Sequence, residues 1–268
     1  MTSTIARAAL LALVAALVTA CAGTGDLVAQ RLDALLPADA ILLGEQHDAA
    51  AHQQLQRSFV KALAQRGQLA ALVLEMAESG TSTSALARDA TEQQVQAALR
   101  WNDAGWPWDR YAPVVMAAVA HGVPVLGANL PRSAMRSAML DNRLDKHLAD
   151  SALERQREAI RLGHCDLLPS ERLMPMLRIQ LARDASMAHT VVQAVRPGQT
   201  VLLVAGGGHV LRESGVPTHL PASLRVRTVL AVAGTSTAEE ALASDLVWQT
   251  PALAPRDHCA ELARQLKG

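Results

Sequence analysis

ILLGEQHDAAAHQQLQRSFVKALAQRGQLAALVLEM, residues 41–76, decides the architecture. Ile41 to Glu45 is a short apolar run interrupted only by Gly44 and closed by an acid. Helical periodicity follows over 51–67 and stops at Gly67, and 69–76 is again short and apolar. A strand, a helix and a strand in that order predict a parallel pair with a crossover helix. Outward from this unit the pattern repeats. VPVLGAN (123–129) follows the helical YAPVVMAAVAHG (111–122), TVLLVAGGG covers 200–208, RVRTVLAV covers 225–232, and DLVWQ (245–249) reads as an edge strand. Short continuous apolar strands between helices belong to a mostly parallel central sheet flanked by helices, an α/β fold. A charged insertion over about 132–196 contains LDKHLADSALERQREAIRLGH and PMLRIQLARDASMAHTVVQAV, with a loop around Pro169 between them. It predicts a helical hairpin acting as a subdomain or lid. No repeat or linker divides the chain, so residues 27–268 are expected to form one domain.

Composition narrows the partners. The 268 residues carry 25 basic and 25 acidic side chains, and half the chain is hydrophobic. That apolar content excludes disorder, and the zero formal charge speaks against a nucleic-acid partner. Aromatic residues make up only 2%, one Phe, one Tyr and four Trp. Four of them, Trp101, Trp106, Trp108 and Tyr111, fall within WNDAGWPWDRY (101–111). A core of Ala, Leu and Val does not need such a cluster.

The N-terminus carries an address. Arg7 precedes an uncharged run from Ala8 to Val18, too short to span a bilayer, which reads as a signal peptide over 1–20. VTAC (18–21) resembles a bacterial lipobox, with Cys21 lipidated and 21–26 as the tether. Ala22, where inner-membrane retention favours Asp, directs the expectation to a lipid anchor in the outer membrane. Export leaves Cys165 and Cys259 in an oxidising compartment, where the two are expected to pair. A zinc site with His164 and His258 ranks below that pair, because adjacent residues rarely reach one ion together.

Chemistry is expected where the strands end, since ligands of open α/β sheets lie beyond the carboxyl ends. The first strand ends in GEQHD with Glu45 and His47, and His52 follows in the next helix with Asp48 as its N-cap. The others end at Glu75, Asn129 and His209. Five ionisable groups in one crevice are costly without a ligand. Each has a plainer reading taken alone, as a capping group or a buried carboxylate paired with an Arg. Gly206 to Gly208 permit close backbone approach but lack the spacing of a nucleotide fingerprint. Neither G-x-S-x-G nor HExxH occurs. A metal site of His47, His52, Glu75 and His209 with Glu45 as base is one arrangement these residues allow. Tyr111, the only tyrosine, is another candidate, because a tyrosinate can ligate ferric haem and flat indoles such as Trp106 and Trp108 suit a flat macrocycle. The plainer reading is that the indoles lid the sheet.

Taken together, the lipobox, ILLGEQHDAAAHQQLQ, ALVLEM, the W-P-W-x-x-Y-x-P segment, VPVLGANLPR, GHCDLLP, QLARDASMA and VLLVAGGGHV resemble the ChaN family of bacterial haem-binding lipoproteins. That family lies in a wider superfamily with Tiki and erythromycin-esterase-like enzymes. The resemblance implies an outer-membrane lipoprotein of iron or haem uptake, with haem held between two subunits. Its partners would then be haem, a second copy of the chain and an outer-membrane haem receptor. It also implies iron ligation by a tyrosine, here Tyr111, and a histidine near the propionates, with His209, His47 and His164 as candidates. The superfamily resemblance carries Glu45, His47, Glu75 and His209 over as pocket residues. The rival expectation is a hydrolase using those four with a divalent metal ion or as a general base, and a third is a scaffold with neither property.

Overall fold

Strands that are apolar along their whole length have no face for solvent, so layers must cover both sides. The structure, a computed structural model, describes residues 24–265. Its strands are β1 (Ala40–Glu45), β2 (Leu69–Glu78), β3 (Val125–Asn129), β4 (Thr200–Gly206), β5 (Val226–Ala233) and β6 (Leu246–Thr250). They form one sheet of order β3-β2-β4-β1-β5-β6, parallel at every pairing. The helices are α1 (Thr24–Leu35), α2 (Ala50–Gln65), α3 (Glu92–Leu99), α4 (Trp108–Ala120), α5 (Met135–Leu140), α6 (Asp150–Gly163), α7 (Ser170–Ala194), α8 (Ala238–Ala243) and α9 (His258–Gln265). The α/β architecture read from the sequence is the one observed.

Strand periodicity of two divides the core. Ile41, Leu43, Leu72, Leu74, Leu202 and Val204 meet α1, α2 and α4 through Val28, Leu32, Phe59, Leu63 and Val115. Ala40, Leu42, Val73, Val201 and Leu203 face the other way, onto Met187, Ala188 and Val191 of α7. Each Val, Leu, Ile, Phe or Met side chain among them, fully buried, contributes about 1.5–3 kcal/mol. The insertion has a third, smaller core of Leu148, Ala152, Ile160, Leu177 and Leu181. It joins α6 to the N-terminal half of α7, while the C-terminal half of α7 belongs to the sheet.

Several boundaries differ from expectation for local reasons. β4 stops at Gly206, and Gly207–Val210 turns into a 3-10 helix packed down on β1. That approach requires Gly44, whose Cβ would stand 2.5 Å from Val210 Cγ2. β2 runs on to Glu78, and β3 starts only at Val125, since Pro124 has no N–H to give. α3 and α8 were not anticipated, although both open with a capping box, Thr91 with Gln94 and Thr237 with Glu240. α1 starts at Thr24, inside the stretch expected as a tether. Cys165 and Cys259 form the expected disulfide, with Cα atoms 5.5 Å apart, which also removes the thiolates a zinc site would need. The expected signal peptide (1–20) and Cys21 lie outside the described residues. No helix among the described residues is long and apolar enough to cross a membrane.

Candidate functional site

Parallel strands put all their carboxyl ends at one rim, and alternation decides which side of the sheet each terminal side chain meets. Glu45 follows Ile41 and Leu43 toward α2 and α4. It is buried there, accepting from Tyr111 Oη at 2.7 Å, from Gln53 Nε2 at 2.6 Å and from Gln56 Nε2. The fourth partner is His47, whose Nδ1 lies 2.8 Å from Glu45 Oε1. A carboxylate only accepts, so His47 Nδ1 carries the proton and donates. His47 is half-exposed, its ring edge-on to Trp106 with centroids 4.8 Å apart.

Glu75 takes the opposite parity and faces α7. Its Oε2 accepts from the Gly206 N–H at 2.7 Å, and its Oε1 lies 3.5 Å from His209 Nε2. His209 Nδ1 lies 2.6 Å from Asp184 Oδ1. Burial works against a charge on His209, yet Glu75 and Asp184 outweigh it and push its pKa up to about 10. Burial would raise Glu75, but His209 and His47 hold it down at about 2. Burial pushes Asp184 up to about 6 against the pull of His209, and its Oδ2 has no hydrogen-bond partner. Burial also opposes a charge on His47, but its bond to Glu45 and the Glu75 carboxylate raise its pKa. At neutral pH His209 is thus an imidazolium held between the carboxylates of Glu75 and Asp184.

Above this row lies a cavity of about 530 Å³, within the usual range of about 300–1,000 Å³ for small-molecule sites. One wall is the rim itself, with Glu45, Gln46, His47, Gly206, Gly207, Gly208 and His209. The other is helical, with Arg155, Gln156, Ala159, Ile160, Gly163 and His164 from α6 and the residue after it, and Gln180 from α7. His164 Nδ1 lies 2.7 Å from the Ile160 carbonyl oxygen, which only accepts, so the lone pair is on Nε2. Gln156 and Gln180 each leave a buried Oε1 without a partner. Nothing stands within 4 Å of where a Cβ on Gly208 would be, so the cavity is open there.

The structure thus brings Glu45, His47, Glu75 and His209 together at one rim, and His47, His164 and His209 around one cavity. Other expectations are corrected. Tyr111 is 1% exposed and does not line the cavity, and its hydroxyl is held by Glu45. Burial, followed by the charge and hydrogen bond of Glu45, pushes its phenol well above the ordinary range. The charges of Glu45 and Glu75 that raise it also oppose a tyrosinate there, and in this structure Tyr111 does not reach the cavity. His209 lines the cavity, but both ring nitrogens face carboxylates, which leaves no lone pair for a metal. His52 turns away, its Nδ1 accepting from the Gln46 N–H at 2.9 Å and its Nε2 lying 3.0 Å from Thr250 Oγ1. It therefore shares no ion with His47, Glu75 and His209, and no group of three or more His, Cys, Asp or Glu among the described residues is arranged to hold one. Glu45, with four donors on it, is not a free base. Trp108 is buried and donates to Glu92, and Asn129 ends β3 outside the cavity lining.

Sequence reading missed Asp184, Gln53 and Gln56. All three are polar residues inside otherwise apolar helical stripes: Asp184 among Leu177, Leu181, Ala188 and Val191, the glutamines among Leu55, Phe59 and Leu63. That interruption was the available signal.

Comparison with known proteins adds the following. The family described as haem-binding uptake, Tiki superfamily, ChaN matches residues 31–220. The structure of ChaN of Campylobacter jejuni, described as showing cofacial haem binding, is 26% identical with a TM-score of 0.65, covering 83% of this chain and 89% of that one. The MARTX toxin effector domain RRSP of Vibrio vulnificus is 12% identical with a TM-score of 0.43, covering 78% and 36%. The type III effector HopBA1 is 14% identical with a TM-score of 0.43, covering 80% and 88%. No curated protein matches.

Proposed function

The chain belongs to the ChaN family of haem-binding uptake proteins in the Tiki superfamily, and on that premise we propose that it binds haem in the cavity between the strand rim and α6. The observation that carries this reading is the pair of histidines on opposite walls. His47 and His164 each donate Nδ1–H to a fixed oxygen, Glu45 Oε1 and the Ile160 carbonyl, and each lines the cavity. A second hydrogen bond fixes each ring and leaves Nε2 unbonded, that of His47 standing 4.0 Å from Glu75 Oε2 and so beyond hydrogen-bond reach, the arrangement typical of metal-binding histidines. Ala159, Ile160 and Leu211 supply apolar contact for a macrocycle, and Gly206 to Gly208 leave room for it. When bound, haem supplies an iron whose open positions accept nitrogen ligands. The residues described here bind and orient it and shield it from water.

Three finer parts of the reading go with it. Export as a lipoprotein anchored through Cys21 to the outer membrane rests on the pattern of residues 1–21. Binding between two copies is supported by the likeness to ChaN of Campylobacter jejuni and by the exposed Leu162, Leu167 and Leu242, which sit in segments carrying the lining residues Gly163, His164 and Glu239. Delivery to an outer-membrane haem receptor follows from the uptake role of the family.

Hemin titration of the wild type against His47→Ala and His164→Ala tests the site. A Soret band that shifts and weakens in both variants, at a temperature where all three proteins are folded, is the expected result. Unchanged titrations in both would overturn it.

A further inference from the structure

We infer that the Cys165–Cys259 disulfide is a redox latch, fastening a C-terminal strap across the two walls of the cavity and thereby controlling how tightly the cavity holds its ligand. The inference rests on the proposed use of that cavity. The strap, residues 251–257, leaves β6 at the sheet rim, where Ala252 packs against Gly234. It passes close enough to Asp48, next to His47, for Arg256 to feel that carboxylate. It then enters α9, whose Cys259 is bonded to Cys165, the neighbour of the lining residue His164. The chain therefore begins beside the rim wall and is bonded to the tip of the helical wall.

Little else holds it. Residues 251–260 are all exposed, residues 261–263 of α9 are half-buried, and among the described residues the hydrogen bonds and ion pair of 251–265 are internal, Arg256 with Glu261 and Asp257 with Ala260 and Glu261. On the other side, Cys165 and Asp166 are consecutive non-glycine residues at positive φ, 56° and 58°, a conformation L-residues adopt reluctantly. The bond to Cys259 and the ion pair of Asp166 with Arg161 hold that turn. The wall it terminates has its own small core, separate from the two sheet cores, and the pairs Arg155 with Glu213 and Gln156 with the Ser214 carbonyl oxygen are the polar links that a shift of α6 against the rim has to break. Cys259 lies beyond residue 220, where the family match ends.

Opening it is ordinary thiol–disulfide exchange. A dithiol reductant attacks one sulfur as a thiolate, and its second thiol resolves the mixed disulfide. Two electrons and two protons pass to Cys165 and Cys259, and the reductant leaves as its own disulfide. Cys259 is exposed, so the bond is reachable.

The test compares oxidised protein, protein reduced with dithiothreitol, and Cys259→Ser, all as the full chain with far-UV circular dichroism checked for equality. Hydrogen exchange is measured without ligand and hemin transfer to apomyoglobin with it. Exchange should rise about tenfold or more in both 251–265 and α6 once the bond is open, and hemin should leave faster by a similar factor. Faster exchange in 251–265 alone, with α6 and hemin release unchanged, would make the bond a clip for the tail and overturn the latch. So would no change in exchange. If oxidised protein binds no hemin, the functional reading fails, and exchange in α6 alone decides the latch. Reduced wild type keeps the test decisive if Cys259→Ser folds poorly.

Discussion

Replacing Tyr111 by Phe removes one hydroxyl from a buried position and leaves the ring packing in place. The hydroxyl donates to Glu45 Oε1 at 2.7 Å, in a site where Tyr111 is 1% exposed. A hydrogen bond to a charged group contributes about 1.5–3 kcal/mol. Glu45 keeps its other three donors, His47, Gln53 and Gln56, so the cost should lie at the lower end, about 1.5–2 kcal/mol. At about 2–4 °C per kcal/mol for a domain near this size, the melting temperature falls by roughly 3–8 °C. The assay is a thermal melt followed by circular dichroism, paired with hemin titration of the same variant at a temperature where both proteins are folded. The Soret band should be that of the wild type, because no atom of Tyr111 lines the cavity. A variant that melts like the wild type but loses its Soret band would refute this reasoning and make Tyr111 the iron ligand.

Stability should depend on pH through the rim. Glu75, held at about 2 against an ordinary 4.5, stabilises the fold above pH 4.5, and this is lost as pH falls toward 2. His209, held up to about 10 against 6.5, stabilises below pH 6.5, and this is lost as pH rises through 10. Asp184, raised to about 6, costs stability, which is lost as pH rises from 3.8 to 6 and stays lost above it. Melting temperatures measured from pH 7 to 10 should therefore decline in the wild type and stay nearly flat in His209→Gln; parallel declines would show that His209 is not the group responsible. Gly127→Ala puts a Cβ 2.2 Å from the Glu78 carbonyl oxygen, a backbone atom. Urea unfolding should show a loss of about 2–3 kcal/mol or more, and a neutral result would mean that β2 and β3 separate freely.

Much of this molecule was legible in its sequence because parallel strands buried on both faces must be apolar throughout. ILLGE, LAALVLEM and TVLLVAGGG announce themselves in that way, and even the edge strand stood out, as DLVWQ. The rim was legible for the same reason, since Glu45, Glu75 and His209 interrupt apolar runs where strands end. Strand order and the direction each end faces were not legible, because pairing β4 between β2 and β1 depends on contacts far apart in the chain. Two placements depend on that. Tyr111 was read by its chemistry, but its depth depends on how α4 packs on β1. His52 was placed with the other histidines by proximity in sequence, although its ring points to Thr250. Asp184 was overlooked because a helix of 25 residues offers many polar positions, and only packing shows which one enters the core.

Gly208 gives direct access to the claim that haem occupies the cavity between the rim and α6. A side chain there meets nothing within 4 Å of its Cβ, and Gly208 is not at positive φ, so Gly208→Phe should fold like the wild type and fill the space. Hemin titration of the two proteins side by side should give a saturable Soret band for the wild type and none for Gly208→Phe at equal melting temperature. Equal Soret bands from both proteins would contradict the account and place haem elsewhere on the chain.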